Sequence, residues 1–139
     1  MITRIDVYNY IASAVNTTER PVYCNARLDV VPEHFPACYI DEIGSASQAQ
    51  DYTLDFLDEQ VRRDFEVHVF SNLENGALVE ADSIMDDVRA AFRRIYFIEN
   101  TVGKTDNIDP TVIHLVGRFH RVIGGGESLP EYSPIAPTT

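Results

Sequence analysis

The chain has 139 residues, 45% of them hydrophobic, with 22 acidic against 11 basic side chains and a formal net charge of -11. That length and composition exclude global disorder and describe a single domain able to bury a core without disulfide or metal staples. The acidic excess, with its basic residues scattered as pairs such as Arg62-Arg63 and Arg93-Arg94, argues against a surface built to hold nucleic-acid backbones or anionic membranes. Two cysteines, Cys24 and Cys38, are too few for a secreted disulfide framework, and no signal-peptide pattern opens the chain. No apolar run approaches the ~20 residues that cross a bilayer, so a soluble protein of a reducing cytoplasm is expected.

Thr3-Arg4-Ile5-Asp6 has the form of a capping box with Asp in place of Glu, and Ile5, Tyr8, Ile11/Ala12 and Val15 follow at helical spacing. A first helix is expected to end near Asn16, broken by Thr17-Thr18-Glu19-Arg20-Pro21, because proline disfavours helical geometry in the residue before it. Val22-Tyr23-Cys24 then begins an extended segment. Pro32 and Pro36 bracket a stretch that cannot be a central strand, and Ala37–Ile43 is the next strand, closed by Gly44.

Residues 45–60 are polar and acidic and lie between two strands expected to be antiparallel neighbours. At roughly sixteen residues this connection exceeds a simple hairpin turn, as functional or mobile loops do. The alternation of Tyr52, Leu54 and Phe56 either extends the hairpin arms outward or belongs to a disordered flap. From Val61 to Phe70 the period is two: Val61, Phe65, Val67 and Val69 share one face, and Arg62, Asp64, Glu66 and His68 the other.

Asn72–Gly76 is a loop, and from Ala77 to Arg94 the pattern turns helical, with Leu78, Ile84, Met85, Val88, Phe92 and Ile95 as its core face. Glu80 and Asp82 come early in this helix and Arg89, Arg93 and Arg94 late, an order that complements the helix dipole. Tyr96–Val102 and Val112–Ile123 are the arms of a C-terminal hairpin turning within Gly103–Pro110. In the second arm Ile113, Leu115, Phe119 and Ile123 are expected on one face, with Gly117 marking a bulge or a close backbone approach. Gly124-Gly125-Gly126 ends the fold, and the rest, with Pro130, Pro134 and Pro137, reads as an extended tail. The expected class is therefore α+β: a small antiparallel or mixed sheet packed by two main helices, with a long hairpin loop. Residues 1–123 form the domain and 124–139 the Gly/Pro-rich tail.

Chemistry finds little foothold in this pattern. His114 and His120 share parity on the last strand, but six residues at ~3.3 Å each separate them by about 20 Å, too far to share a metal. Cys24, His34 and Cys38 can meet if the segment folds back at its prolines, yet their spacing matches no compact zinc pattern. Asp86-Asp87 and Asp58-Glu59 fall on a polar helix face and a loop, where solvated charge is expected. Val102-Gly103-Lys104-Thr105 spells the end of a phosphate-binding loop, but Ile98 stands where its first glycine belongs. No catalytic residue, cofactor or metal is expected.

Three stretches carry a resemblance to a known family. Ile5-Asp6-Val7-Tyr8-Asn9-Tyr10-Ile11 is similar to its first helix, and Phe35-Pro36-Ala37-Cys38-Tyr39-Ile40 to its proline-led strand. The third is Phe65-Glu66-Val67-His68-Val69-Phe70-Ser71-Asn72, followed by Gly76-Ala77 into the helix and closed by Val116–Ile123. Over residues 3–123 the chain resembles the tail terminator, or tail completion, proteins of long-tailed bacteriophages.

The resemblance implies a virion structural protein without enzymatic activity, a homo-oligomeric ring of six copies that caps the finished tail tube and joins it to the head. Its partners would be itself, the major tail tube protein and the head–tail connector protein. It would reside in the virion tail or neck, and in the host cytoplasm during assembly. DNA would pass through the ring without specific binding, and no membrane is involved. Between subunits, Arg62, Arg63, Arg118 and Arg121 would pair with Asp51, Asp55, Asp58 or Glu59, and Tyr52 and Phe56 would serve as apolar anchors. The nearest alternative is a head–tail connector or minor capsid protein of the phage neck. A more distant one is a small cytoplasmic enzyme or ligand-binding domain using His114 or His120.

Overall fold

A computed structural model describes residues 2–26, 32–47, 60–105, 111–124 and 126–129. The first helix, α1, spans Arg4–Val15 and begins on the expected capping box. The Asp6 amide donates to Thr3 Oγ1 at 3.2 Å, and the Thr3 amide donates to Asp6 Oδ2 at 2.8 Å. Those hydrogen bonds from Thr3 hold the Asp6 carboxyl below its ordinary value, and such a cap stabilises the helix by ~1 kcal/mol. The helix stops at Asn16, whose amide donates to the Ala12 carbonyl and whose side chain accepts from the Val22 amide at 3.0 Å.

The buried stripe of α1 is Val7, Tyr10, Ile11, Ala14 and Val15. It is rotated from the expected one: Ile5 is 61% exposed, and Tyr8 and Ala12 are half-buried. Apolar side chains occur almost all round this helix, so spacing alone leaves its orientation open and packing chooses it.

Among the described residues five strands form one sheet in the order β1-β2-β3-β5-β4, where β1 is Tyr23–Asn25, β2 Ala37–Ser47, β3 Gln60–Ser71, β4 Ile98–Thr105 and β5 Ile113–Gly124. Of these only β1 and β2 run parallel, and the β2–β3 pair is antiparallel as the sequence implies. The second helix, α2, spans Ala77–Arg94 and starts after Asn75 (φ 65°) and Gly76 (φ 127°), two left-handed residues that turn the chain out of β3. Both helices lie on the same face of the sheet, around Phe65, Val67, Val69, Leu115, Phe119 and Ile123 from the strands. The Phe92 and Phe119 rings stack at 4.3 Å, and Phe65 meets Phe97 edge-on at 5.7 Å. Each such pair contributes ~0.5–1.5 kcal/mol beyond the burial of its area.

Several boundaries differ from the sequence pattern. Gly44 does not end β2. The register shifts between Glu42 and Gly44, and pairing resumes with Gly44 opposite Asp64, so the glycine follows a bulge at Ile43 in a longer strand. Tyr96, with φ 64° and 77% exposure, terminates α2 and does not open β4. Leu78, expected in the core, is 46% exposed because the buried stripe of α2 begins at Ala81, one turn later. Gly117 is a close approach: an added Cβ would lie 3.1 Å from the Phe119 ring and 3.2 Å from both Met85 Sδ and Val102 Cγ2. The bulge on that side of the sheet falls in β4, between Glu99 and Thr101. Past Gly124 the chain stays attached, since the Gly124 amide donates to Glu127 and Leu129 packs against the core. The arm-or-flap alternative for Tyr52, Leu54 and Phe56 lies outside the described residues.

Ile84 is fully buried, so Ile84→Asp removes its packing and adds an unpaired carboxylate. The expected loss is at least about 4 kcal/mol; a soluble variant with an unchanged melting curve would refute this core. Gly117→Ala should lower the urea midpoint by an amount equivalent to ~1–3 kcal/mol, the usual cost of overpacking.

Candidate interface on the helix-free face

With both helices on one side, alternate residues of β3 and β5 form the opposite face. On β3 these are Arg62, Asp64, Glu66, His68 and Phe70, and across from them on β5 stand His114, Val116, Arg118, His120 and Val122. The face is graded along its length. At one end Arg62 pairs with Asp64 at 3.1 Å beside the exposed Val122. At the other end Phe70 is 1% exposed and clusters with Ala37, Tyr39 and Val112, the Tyr39 ring meeting it edge-on at 5.7 Å. The sequence pattern placed His68 on a polar face, yet it is only 7% exposed. The sheet therefore buries side chains on both faces at its Phe70 end.

A chain of polar contacts links the two ends. Arg118 Nε donates to Glu66 Oε2 at 2.9 Å, and Glu66 Oε1 lies 2.6 Å from His68 Nε2. His68 Nδ1 lies 2.7 Å from His114 Nε2, and the His114 ring stacks on Phe70 at 4.1 Å. With both rings neutral one proton arrangement satisfies these contacts: His68 donates through Nε2 to the carboxylate and accepts at Nδ1 from His114. Burial alone would raise the Glu66 carboxyl, but hydrogen bonds and charge from His68 and Arg118 hold it below its ordinary value. Burial, aided by the neighbouring His68, pushes His114 down to about 4.

Comparing His114 with His120 along one strand misses this pair. His114 stands opposite Phe70 and Val116 opposite His68, so the two histidines are diagonal neighbours across β3 and β5. The usable signal is shared parity on adjacent antiparallel strands, once their pairing is known. His120 instead contacts Asn100 at the β4 bulge. Among the described residues no three His, Cys, Asp or Glu side chains are grouped to hold a metal ion. Cys24 and Cys38 are register partners across β1 and β2, and the hydrogen bond with Cys24 together with complete burial pushes the Cys38 thiol well above its usual value. His34 sits 5.2 Å from the Tyr23 ring, beside the same groove as Cys24.

The four arginines expected to face a neighbouring subunit divide between the two faces. Arg62 and Arg118 lie on the helix-free face, where their side chains are 42% and 55% exposed while paired with Asp64 and Glu66. Arg63 and Arg121 are register partners on the helix side, engaged within their own chain. Arg63 donates to Glu42 at 2.7 Å and to the Ile2 carbonyl at 3.1 Å. Arg121 donates to the Ile95 carbonyl at the end of α2 and to Glu127. Their parity with Phe65 and Phe119 is the sequence signal for this inward placement. Asp51, Tyr52, Asp55, Phe56, Asp58 and Glu59 lie outside the described residues.

The His114 shift has a consequence for stability. Below pH 6.5 the unfolded chain takes up a proton at this position that the folded chain refuses until about pH 4, so stability falls as pH falls through that window. His114→Gln keeps a donor for His68 and removes the titration. Its melting temperature should decline less than that of the parent between pH 6.5 and 4.5; an equal or steeper decline would contradict the assignment.

No family model matches the chain, and no curated protein matches it. Among solved structures it is similar to a chain from the virion of a native gene transfer agent particle, with a TM-score of 0.56 and 13% identity. The match covers 89% of this chain and 96% of that one, and at this identity it shows the fold.

Proposed function

We propose that this chain is a structural protein of a phage-like virion and, within that class, a tail terminator. The observation that carries the reading is the correspondence in fold to a virion-particle chain, which takes in 96% of that chain. The helix-free face supports it as well. Its exposed end offers paired charges, Arg62 with Asp64 and Arg118 with Glu66, spread across two adjacent strands as a docking surface. In this reading six copies form a ring that caps the tail tube, contacts the major tail tube protein on one side and meets the head–tail connector on the other. The ring works in the tail or neck of the particle, after assembly in the host cytoplasm, and its function is assembly rather than catalysis.

The net charge of -11 gives the ring a passage that DNA can traverse, because tight phosphate binding requires Lys and Arg to displace counterions. A head–tail connector or minor capsid protein is the competing reading, since the correspondence in fold is to a chain of a virion particle and carries no position within it.

Uncapped tail tubes incubated with the purified protein separate these readings by negative-stain microscopy. A ring at one tube end, with tube elongation halted, is expected. Bare tube ends with protein bound at the head vertex would favour the connector, and binding to neither would overturn the virion reading. The same rings should not retain duplex DNA at physiological salt.

A further inference from the structure

The two edges of the sheet are left open in complementary ways. On one side, among the described residues, β1 covers only the first three residues of the 11-residue β2, its last pair being Asn25 opposite Tyr39. On the other side β4 is eight residues long, largely exposed, and among the described residues pairs only with β5. The uncovered part of β2, 11 less 3 residues, is also eight. A bare strand edge is a template for another chain.

We infer that β4 of one copy adds antiparallel to the uncovered half of β2 in the next, so that the sheet runs on from subunit to subunit. The register follows from the faces. Each strand carries one extra residue, Ile43 in β2 and Asn100 in β4. On the helix side stand Glu42, opposite Phe65, and Lys104, opposite Leu115. On the other face stand Asp41 and Gly44 in β2, and Thr101, Gly103 and Thr105 in β4. Setting Thr105 against Asp41, Lys104 against Glu42, Gly103 against Gly44 and Thr101 against position 46 keeps every pair on a common face. The Ile43 bulge then falls inside the overlap, between the Glu42 and Gly44 pairs, and the Asn100 bulge just beyond Thr101.

This register brings Lys104, the single lysine of the chain, to the Glu42 carboxylate, which already accepts from Arg63 in its own chain through Oε2 and would take Lys104 as a second donor. It also covers Ile43, which is 50% exposed in the isolated chain. Two β4 edges pairing with each other would leave the β2 edge bare, whereas β4 on β2 closes both. The contact joins unlike surfaces, so it propagates head to tail and closes into a ring where the rotation permits. It rests on the proposed ring for the number of copies, but the joint itself is readable on the purified chain.

Gly44 and Gly103 are opposed in this register, and both tolerate a side chain: a Cβ at Gly44 meets nothing nearer than Asp64 at 3.7 Å, and one at Gly103 meets nothing within 4 Å. Gly44→Cys and Gly103→Cys chains are mixed, with and without tail tubes, and treated with diamide, the parent serving as control for Cys24. Disulfide-linked dimer in the mixture, and not in either variant alone, is expected, with Lys104→Glu abolishing it and Lys104→Arg restoring it. Dimer from Gly103→Cys alone would show β4 meeting β4 and overturn the joint. Capped tubes without cross-linking would overturn the joint and leave the tail reading standing. Cross-linking without capping would support the joint and count against the tail reading.

Discussion

Both helices bury their apolar stripes against the same face of the sheet, and this single choice makes β3 and β5 two-sided. One backbone has to present Phe65, Val67, Val69, Leu115 and Phe119 to the helices, and Glu66, His68, Arg118 and His114 to the other side. A strand can do this because successive side chains point to opposite faces, and a slip of one residue would bring the charges into the core. The register of β3 between its two long neighbours therefore underlies every other feature described.

At its Arg63 end the helix-side core is closed by charge. Arg63 and Arg121 stand opposite each other, an arrangement that would be unfavourable if both were bare. Each has its own acceptors: Glu42 and the Ile2 carbonyl for Arg63, Glu127 and the Ile95 carbonyl for Arg121. The side chains of Arg63 and Glu42 are each 13% exposed, so removing either partner would leave a largely buried charge uncompensated. These arginines tie the start of α1 and the end of α2 to the middle of the sheet.

The exposed pairs on the helix-free face have a different weight. Arg62–Asp64 and Arg118–Glu66 are partly solvated, and pairs of that kind contribute ~0.2–1 kcal/mol to stability. In the proposed assembly their use would be to orient a partner and reject wrong ones. In that proposed assembly most of the binding energy would come from elsewhere, from backbone pairing at open strand edges and from apolar side chains such as Ile98 and Tyr96, which are 61% and 77% exposed.

Local signals were legible without the fold. The Thr3–Asp6 box, the loop ending at Gly76 and the period change at Ala77 located both helices, and alternation located β3 and β5, because caps and periodicity depend only on residues a few positions apart. The sequence by itself thus determined the elements, their order and the α+β class. Tertiary structure decided which way α1 faces, that Gly44 continues a strand, that Gly117 is pressed against Met85, and that His68 and Phe70 are buried on a face without a helix. It also sent Arg63 and Arg121 inward and placed His114 beside His68. All of these depend on which strand neighbours which, and hydrophobic spacing within one segment carries no record of its partner.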